Sequence, residues 1–235
     1  MSFYIKHQTI GHKETRWDAI AKVKGEANFT DDFAIRNCLY AKILRATIAH
    51  GRVVDYDLTE ARQVPGVIKI VLPEDLPQNQ NATAGHPYAM IPAKRDIQDR
   101  LMLNREIHVY GEEIAAVVAK TELAAEIAVS KIKVTYEEYP VYLTPQAAMA
   151  PDARRIHPER DNIIANTNVG FGEIDKGLAE ADVIIKEEFS TGVQQHAHME
   201  KQVAVAYRGE DQRWICISST QIPHICRRII GQALG

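Results

Sequence analysis

The sequence has no long apolar run, no excess of basic residues and no secretion signal. Nowhere among its 235 residues does an apolar stretch approach the roughly 20 residues that a membrane-spanning helix requires. The net charge is −3 with both signs mixed, so the chain lacks the basic field typical of nucleic-acid-binding proteins. Its opening, MSFYIKHQTIGHK, lacks the charged-then-apolar layout of a signal peptide. These absences predict a globular protein with neither a membrane nor a nucleic acid as partner.

Cysteine is also scarce. Cys38, Cys216 and Cys226 are odd in number and scattered, which favours reduced thiols in a cytoplasm over a disulfide framework. No C-x-x-C pair is present to bind zinc or an iron–sulfur cluster. The composition, 46% hydrophobic and 25% charged, is ordinary for a folded protein, and the length suits one large or two small domains.

Hydrophobic periodicity predicts a mixed α and β chain. In the second predicted strand, Val54, Tyr56 and Leu58 should share a face because side chains alternate along a strand. Strands are predicted over 39–44, 53–58, 67–72, 113–119, 132–136, 183–189, 202–208 and 213–219.

Spacings of three and four predict helices between these strands. Thr121 should cap a helix over 122–131, with Leu123, Ala124, Ile127 and Ala128 as its buried stripe. Further helices are predicted over 60–63, over 171–181 and from residue 223 onwards.

Two regions have weak periodicity. The composition of residues 77–104 predicts a long loop. Its role stays open: it could cover a cofactor entrance, dock on a partner chain or be an ordinary surface loop. Prolines at 140, 145, 151 and 158 predict an extended linker, and we place a domain boundary within 144–170.

The last predicted strand leads through Ser219-Thr220-Gln221 into a helix with Pro223 in its first turn. A helix start offers unpaired N–H groups and the positive end of a dipole, which suit an anionic ligand. Gln221 at this junction can both donate and accept hydrogen bonds. A polar turn of this kind is more often an ordinary helix cap than a ligand site.

Just upstream, His196, His198 and Glu200 are spaced two residues apart. On an extended chain they would share one face and form a candidate metal-ligand set. The alternative is the polar edge of a strand.

Four blocks of sequence together resemble one family. They are WDAIAKVKGEANFTDD, with Phe29 in place of the family's usual Tyr, YGEEIAAVVAKTELAAEIAVSKIKVTYEEYP, QHAHME and SSTQIPHICRRIIGQALG. In this order they resemble the amino-terminal portion of the molybdenum-binding subunit of the xanthine dehydrogenase and aldehyde oxidase family, particularly its bacterial purine-hydroxylase type.

The resemblance implies an α+β fold. It implies an N-terminal arm over 1–17, an α/β hammerhead domain over 18–143, a linker over 144–170, and over 171–235 the first strands and helix of a truncated molybdopterin-binding domain. The family's glycine-rich cofactor loop, substrate-orienting acid and arginine, and glutamate base would all follow residue 235. We therefore expect an amino-terminal piece of the subunit, or one half of a split subunit.

The same resemblance implies a cofactor and its neighbours. The metal is molybdenum held by a pterin, molybdopterin or its cytosine dinucleotide form, with iron–sulfur clusters and FAD on partner subunits. Gln221 matches the family glutamine that approaches the apical oxo ligand of the metal. His196 and Glu200 match the motif H-x-x-M-E and are expected to support the strand beside the cofactor. No residue of the chain is assigned as catalytic.

The expected function is that of a cytoplasmic component of a xanthine- or hypoxanthine-dehydrogenase-like oxidoreductase. Such an enzyme hydroxylates an electron-poor carbon of a small heterocycle with oxygen from water, and electrons pass to an iron–sulfur subunit and an FAD subunit. Without the remainder of the molybdenum subunit the chain should be inactive. Two alternatives stay open: a non-catalytic scaffold that docks hydroxylase subunits, and a small metalloenzyme built on His196, His198 and Glu200. Nicotinate, aldehydes and other heterocycles stay open as substrates.

Overall fold

The computed structural model describes residues 10–33, 35–82, 97–158, 160–164, 166 and 168–235. Residues 1–9 of the predicted arm and 83–96 of the predicted loop lie outside this range. The chain divides into two compact units, one from Asn37–Thr191 with Ile222–Gly235 and the other from Met1–Arg36 with Gly192–Gln221. Each unit is described below on its own.

Strands alternate with short helices along the described chain. The strands are β1 Tyr40–Arg45, β2 Gly51–Asp57, β3 Val67–Val71, β4 Glu106–Ile107, β5 Glu113–Ala119, β6 Lys133–Glu138, β7 Ala204–Arg208 and β8 Trp214–Ser218. The helices are α1 Ala19–Lys24, α2 Thr59–Arg62, α3 Glu122–Ser130, α4 Pro145–Ala148, α5 Ile174–Glu180 and α6 Pro223–Leu234, with 3-10 turns at Thr30–Asp32 and Pro73–Asp75.

The larger unit contains two three-stranded antiparallel sheets. In the first, of order β1-β5-β3, the central strand β5 pairs Ala116 with Ile43 on one side and with Val71 on the other. Apart from Glu113, β5 is built only of Ile, Ala and Val, because a central strand covered on both faces needs a continuous apolar run. Most of its side chains are buried, which makes it the middle of the core.

The second sheet has the order β4-β2-β6, and its strand β2 departs from the predicted alternation. The pairing of β2 with β6 shifts register between Val53 and Asp55. This β-bulge turns Val54 outwards, with 51% exposed, and lets both Val53 and Tyr56 face the core. The prediction that Val54 shares a face with Tyr56 is therefore wrong, since a bulge breaks the period of two.

Helix α3 packs on the first sheet with a narrower apolar face than predicted. Thr121 caps it as expected, accepting a hydrogen bond from the backbone N–H of Ala124 at 3.2 Å. Its fully covered side chains are alanines, whereas Leu123 is 65% and Ile127 40% exposed. Small side chains let a helix approach a sheet closely, so the larger residues of the predicted stripe lie at the margin. The buried alanines are Ala124, Ala125 and Ala128.

One hydrophobic core joins the two sheets and α3. Its members come from β2, β4, β5, α2 and α3 and from the turns between them. The largest fully buried apolar side chains are Ile107, Ile114 and Val117.

The described ends of the predicted 77–104 loop are joined to each other. Asn81 and Arg100 form an antiparallel bridge, in which each backbone N–H donates to the other residue's carbonyl at 2.8 and 3.1 Å. Asn81 is buried, so the two ends of this segment are fixed at one place on the unit.

The first half of the predicted extended linker is folded. Thr144 caps α4 by accepting from the backbone N–H of Ala147. The Asn162 amide donates to the carbonyls of Ala148 and Arg154 at 2.9 and 3.0 Å, and its oxygen accepts from the N–H of Ile156 at 2.8 Å. The spacing of the prolines predicted an extended linker here, because the hydrogen bonds of the Thr144 and Asn162 side chains cannot be inferred from proline positions. The domain boundary within 144–170 stays a prediction.

The strand predicted over 183–189 does not form. These residues have neither helix nor strand structure, and Val183, Ile184 and Ile185 are 76%, 61% and 79% exposed. A strand needs a neighbour for its backbone N–H and C=O groups, and none of the described strands pairs with this segment. The helix predicted over 171–181 is present as α5.

The smaller unit contains α1 and the hairpin β7–β8. The two strands pair antiparallel from Ala204 opposite Ser218 to Arg208 opposite Trp214, as the sequence predicts. The turn closes with the N–H of Gly209 donating to the carbonyl of Arg213 at 2.9 Å. Over the described residues, no helix is long and apolar enough to cross a bilayer.

Candidate functional site

The hairpin fixes where the predicted junction begins. Pairing continues one residue beyond β8, because the N–H of Ser219 donates to the carbonyl of Val203 at 3.2 Å and the Ser219 hydroxyl accepts from the N–H of Val203 at the same distance. Gln221 therefore follows the last paired residue by two positions.

Gln221 lies on the surface of the smaller unit with its side chain exposed. Helix α6 begins at Pro223 with Ile222 at the N-cap position, and no side chain caps it. The interpretation of Gln221 as an ordinary helix cap is therefore wrong. An exposed carboxamide can still donate to and accept from a ligand.

Helix α6 begins where the sequence predicts and belongs to the larger unit. Its first turn has no acidic residue and no capping side chain. The N–H groups of this turn and the positive end of the helix dipole are thus not neutralised by a carboxylate of the helix itself.

His196 and His198 lie side by side, but not on a regular strand. Their rings stack with centroids 5.5 Å apart and an angle of 8° between planes. Ala197 between them has φ +50°, a left-handed conformation rather than the extended one we expected. His196, His198 and Glu200 are all exposed.

The structure does not assemble a protein metal site from these residues. Within the described ranges, no group of three or more His, Cys, Asp or Glu side chains is arranged to hold a metal ion. Stacked imidazole rings direct their nitrogen lone pairs along parallel planes rather than towards a common point, which explains why the H-x-H-x-E spacing does not produce a ligand set here.

Two of the family-like blocks belong to the same compact unit. Lys201, next to Glu200, forms an ion pair with Asp31 at 2.6 Å, and Asp31 lies in the 3-10 turn Thr30–Asp32. The stretch from Trp17 to Asp32 and the H-x-x-M-E motif are thus connected through space, although 170 positions separate Lys201 from Asp31.

A second polar cluster, which the sequence analysis did not single out, lies in the larger unit. The Glu112 side chain is fully buried and accepts hydrogen bonds from the Asn104 amide at 2.8 Å and from the backbone N–H of His108 at 2.7 Å. Arg100 approaches the same carboxylate at 3.3 Å. Burial would raise the pKa of Glu112, but the His108 ring, the His108 backbone N–H and Arg100 together hold it below its usual value. The sequence signal that could have indicated this cluster is a glutamate, Glu112, placed directly before the buried strand β5.

This cluster borders a cavity of about 420 Å³. His108, His157 and Asp99 line it, together with Arg105 and Glu74, which pair with each other.

Comparison with known proteins places these features in a family. Residues 24–140 match the "Aldehyde oxidase and xanthine dehydrogenase, a/b hammerhead domain" and residues 156–235 match the "Molybdopterin cofactor-binding domain". The chain is 42% identical over 219 residues to the xanthine dehydrogenase molybdenum-binding subunit of Escherichia coli O157:H7, an alignment that covers 93% of this chain and 29% of that protein.

The chain belongs to the xanthine dehydrogenase and aldehyde oxidase family. It contains the family's hammerhead domain and part of its molybdopterin-binding domain, which confirms the predicted fold class.

Other members of the family are similar over nearly the whole chain. The large molybdopterin subunit of nicotinate dehydrogenase from Eubacterium barkeri is 28% identical, with 97% of this chain and 51% of that subunit aligned. The crystal structure of the aldehyde oxidoreductase from Desulfovibrio desulfuricans superposes with a TM-score of 0.83 at 29% identity, covering 94% of this chain and 25% of that one. The chain thus spans about a quarter to a half of the length of these relatives.

Proposed function

We propose that this chain is the part of a molybdenum hydroxylase that contributes the hammerhead domain and one part of the cofactor-binding site. The observation that carries the proposal is the match of residues 156–235 to the molybdopterin cofactor-binding domain. The Ser219-Thr220-Gln221 junction lies inside this range. When bound, the molybdenum cofactor would supply the redox chemistry that hydroxylates a carbon of the substrate, with the oxygen atom coming from water.

The residues of the junction fit such a group. The Gln221 carboxamide is exposed and neutral, so it can donate a hydrogen bond to the cofactor without gaining or losing a proton. His196 and Glu200 would support the strand beside it. Both are exposed in this chain and so remain free to meet further protein or the cofactor.

We assign no catalytic base among the described residues of this chain. We therefore propose that the chain acts only with the remainder of the molybdenum subunit, with an iron–sulfur subunit and with an FAD subunit that take up the electrons. A cytoplasmic location is consistent with Cys38, Cys216 and Cys226, none of which forms a disulfide bond.

Our proposed substrate is a purine such as xanthine or hypoxanthine. The support is the 42% identity to the molybdenum-binding subunit of a xanthine dehydrogenase, against 28% to that of a nicotinate dehydrogenase. The pterin is molybdopterin or its cytosine dinucleotide form.

The test is reconstitution. The chain is co-expressed with the downstream part of the subunit and with the partner subunits, and molybdenum content and xanthine-dependent dye reduction are measured. We expect Gln221→Ala to lower dye reduction by at least about tenfold, the effect usual for a residue that orients a metal centre. Gln202→Ala is the matched control, since Gln202 is an exposed glutamine of the same unit outside the junction.

The outcomes separate the alternatives. If Gln221→Ala leaves both molybdenum content and activity unchanged, the chain is better described as a scaffold module. If the isolated chain hydroxylates xanthine, the proposal that it needs the remainder of the subunit is wrong. If nicotinate is oxidised and xanthine is not, the substrate assignment is wrong while the role of Gln221 stands.

A further inference from the structure

Two histidines from separate parts of the chain stack on each other in the larger unit. The rings of His108 and His157 have centroids 5.2 Å apart and planes inclined by 21°. His108 lies in the range that matches the hammerhead domain, and His157 lies at the start of the range that matches the cofactor-binding domain. Their contact therefore joins two family domains within one compact unit.

Each ring faces a carboxylate of the hammerhead domain. The Nδ1 atom of His108 lies 3.6 Å from Glu112, and the Nε2 atom of His157 lies 3.5 Å from Asp99. These separations are too long for strong hydrogen bonds. They become attractive ion pairs when the rings are charged.

Other charged groups also surround the two rings. Glu106 and Asp99 add negative potential at His108. Arg100 shares the Glu112 carboxylate and partly offsets the attraction. Arg105 lines the same cavity but is paired with Glu74. On balance, the surroundings of the two rings are acidic.

Local bonds hold together the described residues around His157. Arg155 pairs with Asp161 at 2.8 Å, Ile156 donates to the Asn162 side chain, and the N–H of Arg160 donates to the carbonyl of His157 at 3.1 Å. These bonds are local. The stacked histidine pair provides a contact between this segment and the hammerhead domain.

We propose that His108 and His157 form a proton-dependent clasp that fastens residues 156–158 and 160–162 to the hammerhead domain when His108 is charged and loosens when His108 becomes neutral. A charged His108 is held by Glu112 with its face towards His157. A neutral ring loses that ion pair and can turn, so His157 loses a fixed stacking partner. The clasp does not depend on the proposed function.

The direction of the effect follows from the charge of Glu112. The neighbouring carboxylate raises the pKa of His108 above its usual value of 6.5, although partial burial opposes this. A group whose pKa is raised on folding stabilises the folded state fully below its ordinary pKa, and this stabilisation is lost as the pH rises through the raised value. The clasp should therefore loosen as the pH rises above the usual histidine value of 6.5.

Hydrogen exchange of the whole chain, read by mass spectrometry and corrected for intrinsic rates, tests the proposal. We expect protection of the amides in 156–162 to fall by about two- to fivefold between about pH 6.5 and about pH 8.5, the range for an ion pair of this exposure. His108→Gln should abolish that dependence. His12→Gln is the control, because His12 is exposed and belongs to the smaller unit.

Equal corrected protection of 156–162 at the two pH values, or an unchanged dependence in His108→Gln, would overturn the clasp. A second readout does not require a variant that folds. In the unmodified chain the ring signals of His157 should respond to the titration of His108 in an NMR experiment, because the two rings are stacked. Ring signals of His157 that do not respond to the titration of His108 would also overturn the proposal.

Discussion

Tyr56 on β2 donates its phenolic hydrogen to the backbone oxygen of Ile114 on β5 at 2.7 Å, and both residues are buried. The bond connects the two sheets of the larger unit. Burial raises the pKa of the Tyr56 phenol, which therefore stays protonated and able to donate throughout the physiological range.

Replacement of Tyr56 by Phe should lower the free energy of unfolding by about 1–3 kcal/mol, because the Ile114 carbonyl would remain buried without its donor. Urea denaturation followed by far-UV circular dichroism measures this. Tyr110→Phe is the control, since Tyr110 is 69% exposed and should change stability by less than about 0.5 kcal/mol. Equal effects of the two substitutions would show that the bond between the sheets contributes little.

Gly51, the first residue of β2, should tolerate no side chain. Its φ is +154°, and a Cβ atom there would overlap the backbone oxygen of Glu137. We expect Gly51→Ala to cost about 2 kcal/mol or more, or to prevent folding.

Gly177 provides the opposite expectation within the same unit. It lies inside helix α5, and a Cβ atom there would meet nothing within 4 Å. Gly177→Ala should stabilise the helix by about 0.5–1 kcal/mol. Thermal unfolding of both variants beside the unmodified chain tests the pair, and a fall in Tm for Gly177→Ala would contradict the exposed position of this helix.

Glu112 should make the chain sensitive to acid. Because its pKa is lowered in the folded state, its contribution to stability is present above the usual value of 4.5 and is lost as the pH falls through the lowered one. Glu112→Gln should cost about 1–3 kcal/mol at about pH 7, since the amide turns a donor towards buried donors, and should flatten the loss of stability between about pH 5 and about pH 3.

The neighbouring Glu113 is the matched control for this measurement. It pairs with Arg45 at 2.6 Å on the surface, and a surface ion pair contributes at most about 1 kcal/mol. Glu113→Gln should therefore leave the acid profile nearly unchanged. A profile as flat as that of Glu112→Gln would contradict the role given to the buried carboxylate.

The two threonine caps should differ in importance. Thr121→Ala removes the cap of α3, which contributes three alanines to the core, and should cost about 1 kcal/mol. Thr144 caps α4, which has four residues and no buried side chain, so Thr144→Ala should cost less. Parallel urea denaturation of the two variants gives the comparison, and a larger loss for Thr144→Ala would be contrary to expectation.

Regular periodicity made much of this fold predictable. The cap at Thr121, the hairpin of β7 and β8, and the start of α6 at Pro223 all follow local rules of spacing and turn chemistry. Each of these features depends on residues that are close together in sequence, so the information is present in the chain without knowledge of its tertiary neighbours.

The errors concern features set by tertiary neighbours. Val54 faces outwards because of a bulge against β6. Leu123 is exposed because α3 approaches the sheet through alanines. Residues 183–189 have a strand-like sequence, yet no described strand pairs with them. None of these outcomes can be derived from a single segment considered alone.

The candidate site was predicted in part. The sequence located the junction at Gln221, because a change of period from two to nearly four is visible in one segment. It did not indicate the buried Glu112 or the stacking of His108 on His157, because those contacts depend on loops brought together by the sheets. The roles of Gln221, His196 and Glu200 towards the cofactor remain predictions.

Because Ser219 pairs with Val203, the position of Gln221 depends on the number of residues in the strand before it as well as on its own side chain. Loss of a single residue from β8 would shift every later residue by about 3.3 Å along the strand and reverse the side to which each points. Such a deletion would leave the glutamine in the gene and remove its carboxamide from the place where it is needed. Length variation between the Gly209 turn and Gln221 should therefore be as harmful to a homologous enzyme as replacement of the glutamine itself.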